Sequence, residues 1–300
     1  MKKKTYLFAL MAMVLTLGSC SDNENGIGGE TSKYITVSTS IGNMTRVATD
    51  ANGGQTFEEG DEISVYAWTG APTVAPETSE RVVNNAINKL TNGSWVATPQ
   101  MLWKNNRDKH YFIGVYPVSA ISDLSAGEYT FDETKQVESD LLVAVNKDGL
   151  SYNVDEQQPV PLTFTHVMAK LAVNLTYKNQ WGGIPTVEKV VVGNAAKEAT
   201  VNYLTKTVTP STTVKEDFSL PEITENTKYV SVIIPQEEVK QLTIVIGGKN
   251  FVYDNGTPFK LESGKITTVN LEVGRDEIKL GDVKITNWED GSTFSGEALN

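Results

Sequence analysis

The most distinctive reactive group in the chain is the thiol of Cys20, the only cysteine among 300 residues. It follows Leu17, Gly18 and Ser19, and small residues at these places suit a peptidase that cuts the Ser19–Cys20 bond. Upstream lie Lys2, Lys3 and Lys4, then an apolar run from Tyr6 to Leu17. That run has the length of a signal peptide's apolar segment and is too short to span a bilayer comfortably. The arrangement resembles a bacterial lipobox, in which the cysteine sulfur takes up diacylglycerol. It predicts residues 1–19 as a lipoprotein signal peptide and Cys20 as an acylated anchor. Each buried acyl CH₂ contributes about 0.8 kcal/mol, so several chains together hold firmly. With its one thiol lipidated, the chain must fold without an internal disulfide.

Other chemistry is sparse. The two histidines, His110 and His166, each lie in a β-rich run beside aromatic residues and read as structural. Two isolated imidazoles with no free thiol make a poor metal site. The chain has no G-x-S-x-G, P-loop or H-E-x-x-H pattern. Its abundant carboxylates read as surface charge. The expectation is therefore a protein that is not an enzyme, with no catalytic residues, no metal and no cofactor. Of the five tryptophans, Trp68 and Trp103 lie in apolar runs and read as core. Trp95 follows Gly93-Ser94 and Trp181 precedes Gly182-Gly183, which makes these two the candidates for stacking on a sugar ring of a glycan receptor.

Charge narrows the partners. Lysines and arginines number 26 and acidic residues 37, a net charge of −11. Removing the signal peptide takes away three lysines and leaves 23 − 37 = −14. Such a chain is a poor partner for nucleic acid or anionic headgroups. The charges are spread along the sequence, which suits solubility.

The elements that would position these residues read as strands. Residues 20–32, with Asp22, Glu24, Gly26, Gly28 and Gly29, form a flexible tether. Its acidic residues resemble the surface-export signal of lipoproteins in Bacteroidota-type envelopes, which predicts a surface-exposed lipoprotein of the outer membrane. Beyond it, short runs rich in β-branched and aromatic residues alternate with Gly, Asn, Asp and Pro, an all-β signature. In Tyr34–Ile41, Ile35, Val37 and Ile41 share one face. Glu62–Trp68 and His110–Tyr116 are further strands, and Leu141–Val145 should be buried on both faces. The segment Glu80–Leu90 is the candidate helix, with Val82, Val83, Ala86 and Leu90 on one side. Polar residues and two prolines between Gly149 and Pro161 suggest a connection between domains. A second β-rich set follows, with Gly247-Gly248 as a hairpin turn and Ile278–Ile285 as an edge-type strand interrupted at Gly281. The reading is an all-β chain of two β-sandwich domains, 33–158 and 159–300.

Several ordered segments resemble one family. Phe57-Glu58-Glu59-Gly60-Asp61-Glu62-Ile63-Ser64-Val65-Tyr66 is similar to the F-x-x-G-D-x-I-x-V-Y opening of the fimbrillin (Mfa-like, FimA-type) family of lipoprotein pilus subunits. Tyr111–Pro117 resembles its aromatic strand ending in Tyr-Pro. Asp140-Leu141-Leu142 and Leu162–Leu171 follow in the family's order, with Phe164, His166 and Leu171 at the landmark places. Phe259–Leu271 and Ile285–Trp288 resemble its closing segments. The resemblance spans about Ile35 to Trp288.

The resemblance implies two transthyretin-like β-sandwich domains and a surface fimbria that supports cell adhesion. It also implies a route of assembly. An arginine- or lysine-specific protease cuts near the N-terminus, the first strand leaves, and a strand from another fimbrillin subunit enters the groove. Carried onto this chain, the cut falls between Arg46 and Val47, and the displaced strand is Tyr34–Ile41, with Ile35, Val37 and Ile41 on one face. Family members often carry Thr-Arg-Ala here, and this chain has Val47 in place of the alanine. The donated strand would come from Ile278–Ile285 or the tail to Asn300. A tip adhesin that binds glycans, or an anchor that keeps its lipid, is the alternative role.

Overall fold

The alternation of apolar and polar residues becomes a set of sheets in the computed structural model, which describes residues 33–42, 56–153 and 158–288. The described residues contain nineteen strands, one short 3-10 turn at Thr78–Glu80 and no α-helix. The strands belong to one compact unit beginning at Lys33.

The largest sheet has seven strands. In spatial order they are β1 (Val37–Ile41), β8 (Val160–His166), β7 (Leu142–Leu150), β5 (His110–Tyr116), β2 (Glu62–Thr69), β3 (Val83–Thr91) and β4 (Ser94–Thr98). Its central strands are covered on both faces. On β2, Ile63, Val65 and Ala67 enter one apolar cluster, while Tyr66 and Trp68 enter another. On β5, Phe112 joins the first, and Tyr111, Ile113 and Val115 join the second. Leu141 to Ala144 are all buried, as the apolar run predicts. The polar segment Gly149–Pro161 runs from the end of β7 to the start of β8, neighbours in this sheet.

Beyond the second cluster lie the other sheets in a sandwich arrangement. One holds β13 (Lys215–Ser219), β10 (Val187–Ala196), β16 (Gln236–Ile246) and β17 (Lys249–Leu261). Another holds β14 (Glu222–Thr224), β15 (Lys228–Ile233), β9 (Ala169–Tyr177), β18 (Lys265–Val273) and β19 (Ile278–Asn287). A small sheet of β12 (Thr207–Pro210), β11 (Glu198–Asn202) and β6 (Gly127–Thr130) joins early and late parts of the chain. Gly247 and Gly248 take positive φ, 58° and 72°, and close the β16–β17 hairpin as the sequence predicts.

The expected helix at Glu80–Leu90 is instead β3. Its register explains the misreading. Ala86 faces Val65 and Val83 faces Ala67, so Asn84 and Asn85 together oppose Tyr66. This is a β-bulge, with Asn85 at φ 55°. The extra residue shifts the apolar positions from period two toward a helix-like spacing. The first strand also differs in extent. Regular pairing covers Val37–Ile41, and Tyr34 makes a separate bridge to Leu102.

Candidate functional site

The described part of the chain starts with a segment held by backbone bonds to two distant segments and by two buried side chains. β1 pairs in parallel with β8, from Val37 opposite Val160 to Ile41 opposite Phe164. Val160 N–H donates to Thr36 O at 2.8 Å, and Gly42 N–H donates to Phe164 O at 2.6 Å. Ahead of β1 the chain crosses to the far side of the sheet. Ile35 N–H donates to Met101 O at 2.9 Å, and Trp103 N–H donates to Lys33 O at 3.1 Å. Residues 33–42 therefore link the Met101–Trp103 segment, just after β4, to the β8 side of the sheet.

Alternation puts Ile35 and Val37 inward, 1% and 6% exposed, with Ile41 partly buried. They pack with Ile63, Val65, Phe112 and Phe164 in the inner cluster. Burying each of the two aliphatic side chains contributes about 1.5–3 kcal/mol. Tyr34, by contrast, is exposed on the outer surface. The residues singled out by the family resemblance meet at this place. The Phe57 ring lies 5.1 Å from Phe164, 5.4 Å from Tyr116 and 5.3 Å from Trp95, all edge-on. Burial among these groups, with Asp61 nearby, pushes the Tyr116 phenol up. Asp61 also accepts the Glu58 N–H at 2.7 Å, which holds the turn that leads into β2.

Trp95 is half-buried, and its indole N–H donates to Thr39 Oγ1 at 3.0 Å. Its polar group thus holds the first strand. Trp181 is also half-buried. Its N–H donates to Val273 O at 2.9 Å, and its ring meets Phe251 and the Arg275 guanidinium. Cys20, Arg46 and Val47 lie outside the described residues.

The other end of the described chain closes the five-stranded sheet and reaches β8 through Trp288. β19 is an edge strand paired only with β18. Val283 and Ile285, opposite Val269 and Thr267, remain 40% exposed although their partners are buried. Gly281 is the extra residue of a bulge, which keeps Leu280 and Val283 on one face. Trp288, directly after β19, is buried. Its ring stacks on His166 at 4.1 Å and 8°, and the Lys170 ammonium lies 4.1 Å from the ring centre. His166 Nδ1 bonds Asp140 at 2.8 Å. Burial lowers the Lys170 pKa, and the Asp140 charge opposes that shift. His166 ends β8, the strand that carries β1, so the two ends of the described chain converge on one element.

His110 is fully buried. Its Nε2 accepts the Lys104 N–H at 3.1 Å and its Nδ1 faces Asp108 O at 3.1 Å, and burial lowers its pKa. Both histidines thus serve packing and hydrogen bonding. Among the described residues no three His, Cys, Asp or Glu side chains gather as a metal-binding group. The Met101–Trp103 edge is the contact that sequence reasoning missed. Its apolar run was visible, but its partnership with residues 33–35 is long-range.

A sequence model of a family described as fimbrillin-like matches residues 45–288. No curated protein sequence matches the chain. Among solved structures, a candidate cell adhesion protein from Bacteroides uniformis superposes with a TM-score of 0.65 at 17% identity, covering 86% of this chain and 100% of that one. A candidate cell adhesion protein from Bacteroides ovatus gives 0.63 at 17% identity, with 85% and 98% covered. A fimbrial protein from Bacteroides vulgatus gives 0.52 at 12% identity, with 86% and 100% covered. At these identities the likeness speaks for a shared fold.

Proposed function

Because the chain belongs to the fimbrillin-like family, we propose that it is a structural subunit of a surface fimbria, exported as a lipoprotein and assembled by strand exchange. In this reading the role is adhesive and structural rather than catalytic. Cys20 carries the lipid and holds the subunit at the outer membrane. An arginine-specific protease cuts between Arg46 and Val47, which severs the anchor and frees residues 33–42. A strand from another fimbrillin subunit then takes the vacant place.

One observation carries the proposal. The N-terminal segment is an edge strand whose own side chains, Ile35 and Val37, fill the inner core. Removing it would leave β8 with an unpaired edge and the inner cluster open. An unpaired edge above an apolar groove recruits another strand. β19 suits the donor's role, since it is an edge strand with two apolar side chains left 40% exposed. Repeated head-to-tail, such a contact builds an open filament.

The test is the mature N-terminus, read by mass spectrometry on sheared surface material. A start at Val47 without lipid is expected, and Arg46→Ala should leave full-length, lipidated, unassembled protein. Normal fibres from that variant, or a mature start at acylated Cys20, would overturn the proposal. The acylated start would indicate an anchor instead.

A further inference from the structure

The inner core that β1 helps to close holds a polar side chain whose carbonyl is unpartnered. Asn88, on β3, is 1% exposed. It sits opposite Ile63 and two residues from Ala86, so it shares their inward face. Its Nδ2 donates to Ala86 O at 3.0 Å and lies 3.8 Å from Met101 Sδ. Its Oδ1 has no hydrogen-bond partner. A buried acceptor left unpaired bears the full desolvation cost, whereas a matched donor recovers it.

Met101 links this amide to the N-terminal segment, because Met101 O is the acceptor of the Ile35 N–H. The resident segment presents Ile35 and Val37 to the core, and neither side chain can donate. Thr39, next on that face, accepts the Trp95 indole N–H, and its own hydroxyl makes no bond to Asn88. The resident strand therefore fills the volume of the groove but leaves the Asn88 carbonyl unmatched.

We propose that Asn88 is a specificity-determining residue of this groove, which selects an incoming strand of a second copy that places a serine or threonine hydroxyl over it. The inference rests on the strand-exchange reading above. Asn88 makes the resident strand an imperfect occupant and rewards its replacement. It also discriminates among donors, because a purely apolar strand repeats the mismatch.

The test uses the full chain cleaved between Arg46 and Val47, with labelled peptides of residues 33–42 as probes. Three are compared: the native sequence, Ile35→Thr and Val37→Thr. Exchange into the native protein and into Asn88→Leu is followed by fluorescence anisotropy. One threonine peptide should gain on the native peptide, and that affinity ratio should fall by about tenfold in Asn88→Leu, the scale of one satisfied buried acceptor. Asn88→Leu should also raise the Tm of the uncleaved chain. If Asn88→Leu does not fold, Asn88→Ala serves for the same ratio. An identical ratio in native and variant protein overturns the role of Asn88 alone. If no peptide enters even the native groove, strand exchange itself fails, and the selectivity falls with it.

Discussion

At the scale of single residues, close contacts decide what can be changed. A Cβ on Gly114 would lie 2.6 Å from Phe164 Cζ and 3.1 Å from Leu162 Cδ1. The Phe164 ring has little room to retreat, because it is fully buried and meets Phe57 edge-on. Gly114→Ala should therefore cost about 1–3 kcal/mol by overpacking, read as a lower denaturation midpoint with an unchanged m-value. A neutral result would show that the Phe164 ring yields more easily than its packing implies. The sequence named both residues through the family resemblance, but it did not show that one exists to admit the other. The contact joins β5 to β8, and such pairing across about fifty residues leaves no trace in local periodicity.

At the scale of elements, burial and exposure mark which strands are replaceable. β2 is buried throughout its centre and pairs on both edges. β19 is paired on one edge only, and its outward face carries Lys279, Asp282 and Lys284. Its firmest hold is Trp288, fixed by His166, Lys170 and a backbone bond to Gly264 O at 3.1 Å. Trp288→Ala should cost about 3–5 kcal/mol locally and speed amide exchange across 278–287 well beyond that of β9 and β18. Uniform acceleration over all three strands would mean that Trp288 supports the whole sheet and not this edge. Strand existence was legible for most segments, because alternation is a local property. The helix expected at Glu80–Leu90 failed because one bulged residue breaks period two, and only the pairing with β2 reveals the insertion.

At the scale of the whole molecule, two apolar clusters lie on the two faces of one sheet. The seven-stranded sheet separates an inner core, which the N-terminal segment closes, from a larger one that runs from Tyr66 and Trp68 to Val269 and Trp288. β6, before residue 158, pairs with β11, after it. A shared core resists partial unfolding, so the chain should melt in one calorimetric transition, with calorimetric and van't Hoff enthalpies equal. Two resolved transitions would establish 33–158 and 159–300 as independently stable domains.

Alternating strands, glycine turns and the ordered aromatic landmarks were readable from the sequence alone, because each is written within ten or so neighbouring residues. They sufficed for the all-β class and for the family. Tertiary structure alone decided that residues 33–42 link the Met101–Trp103 segment to β8, that the Trp95 indole bonds that segment, and that Asn88 is buried beside Met101 without a partner for its carbonyl. Each depends on residues far apart in sequence meeting in space, and local periodicity carries no record of which distant strand fills a groove.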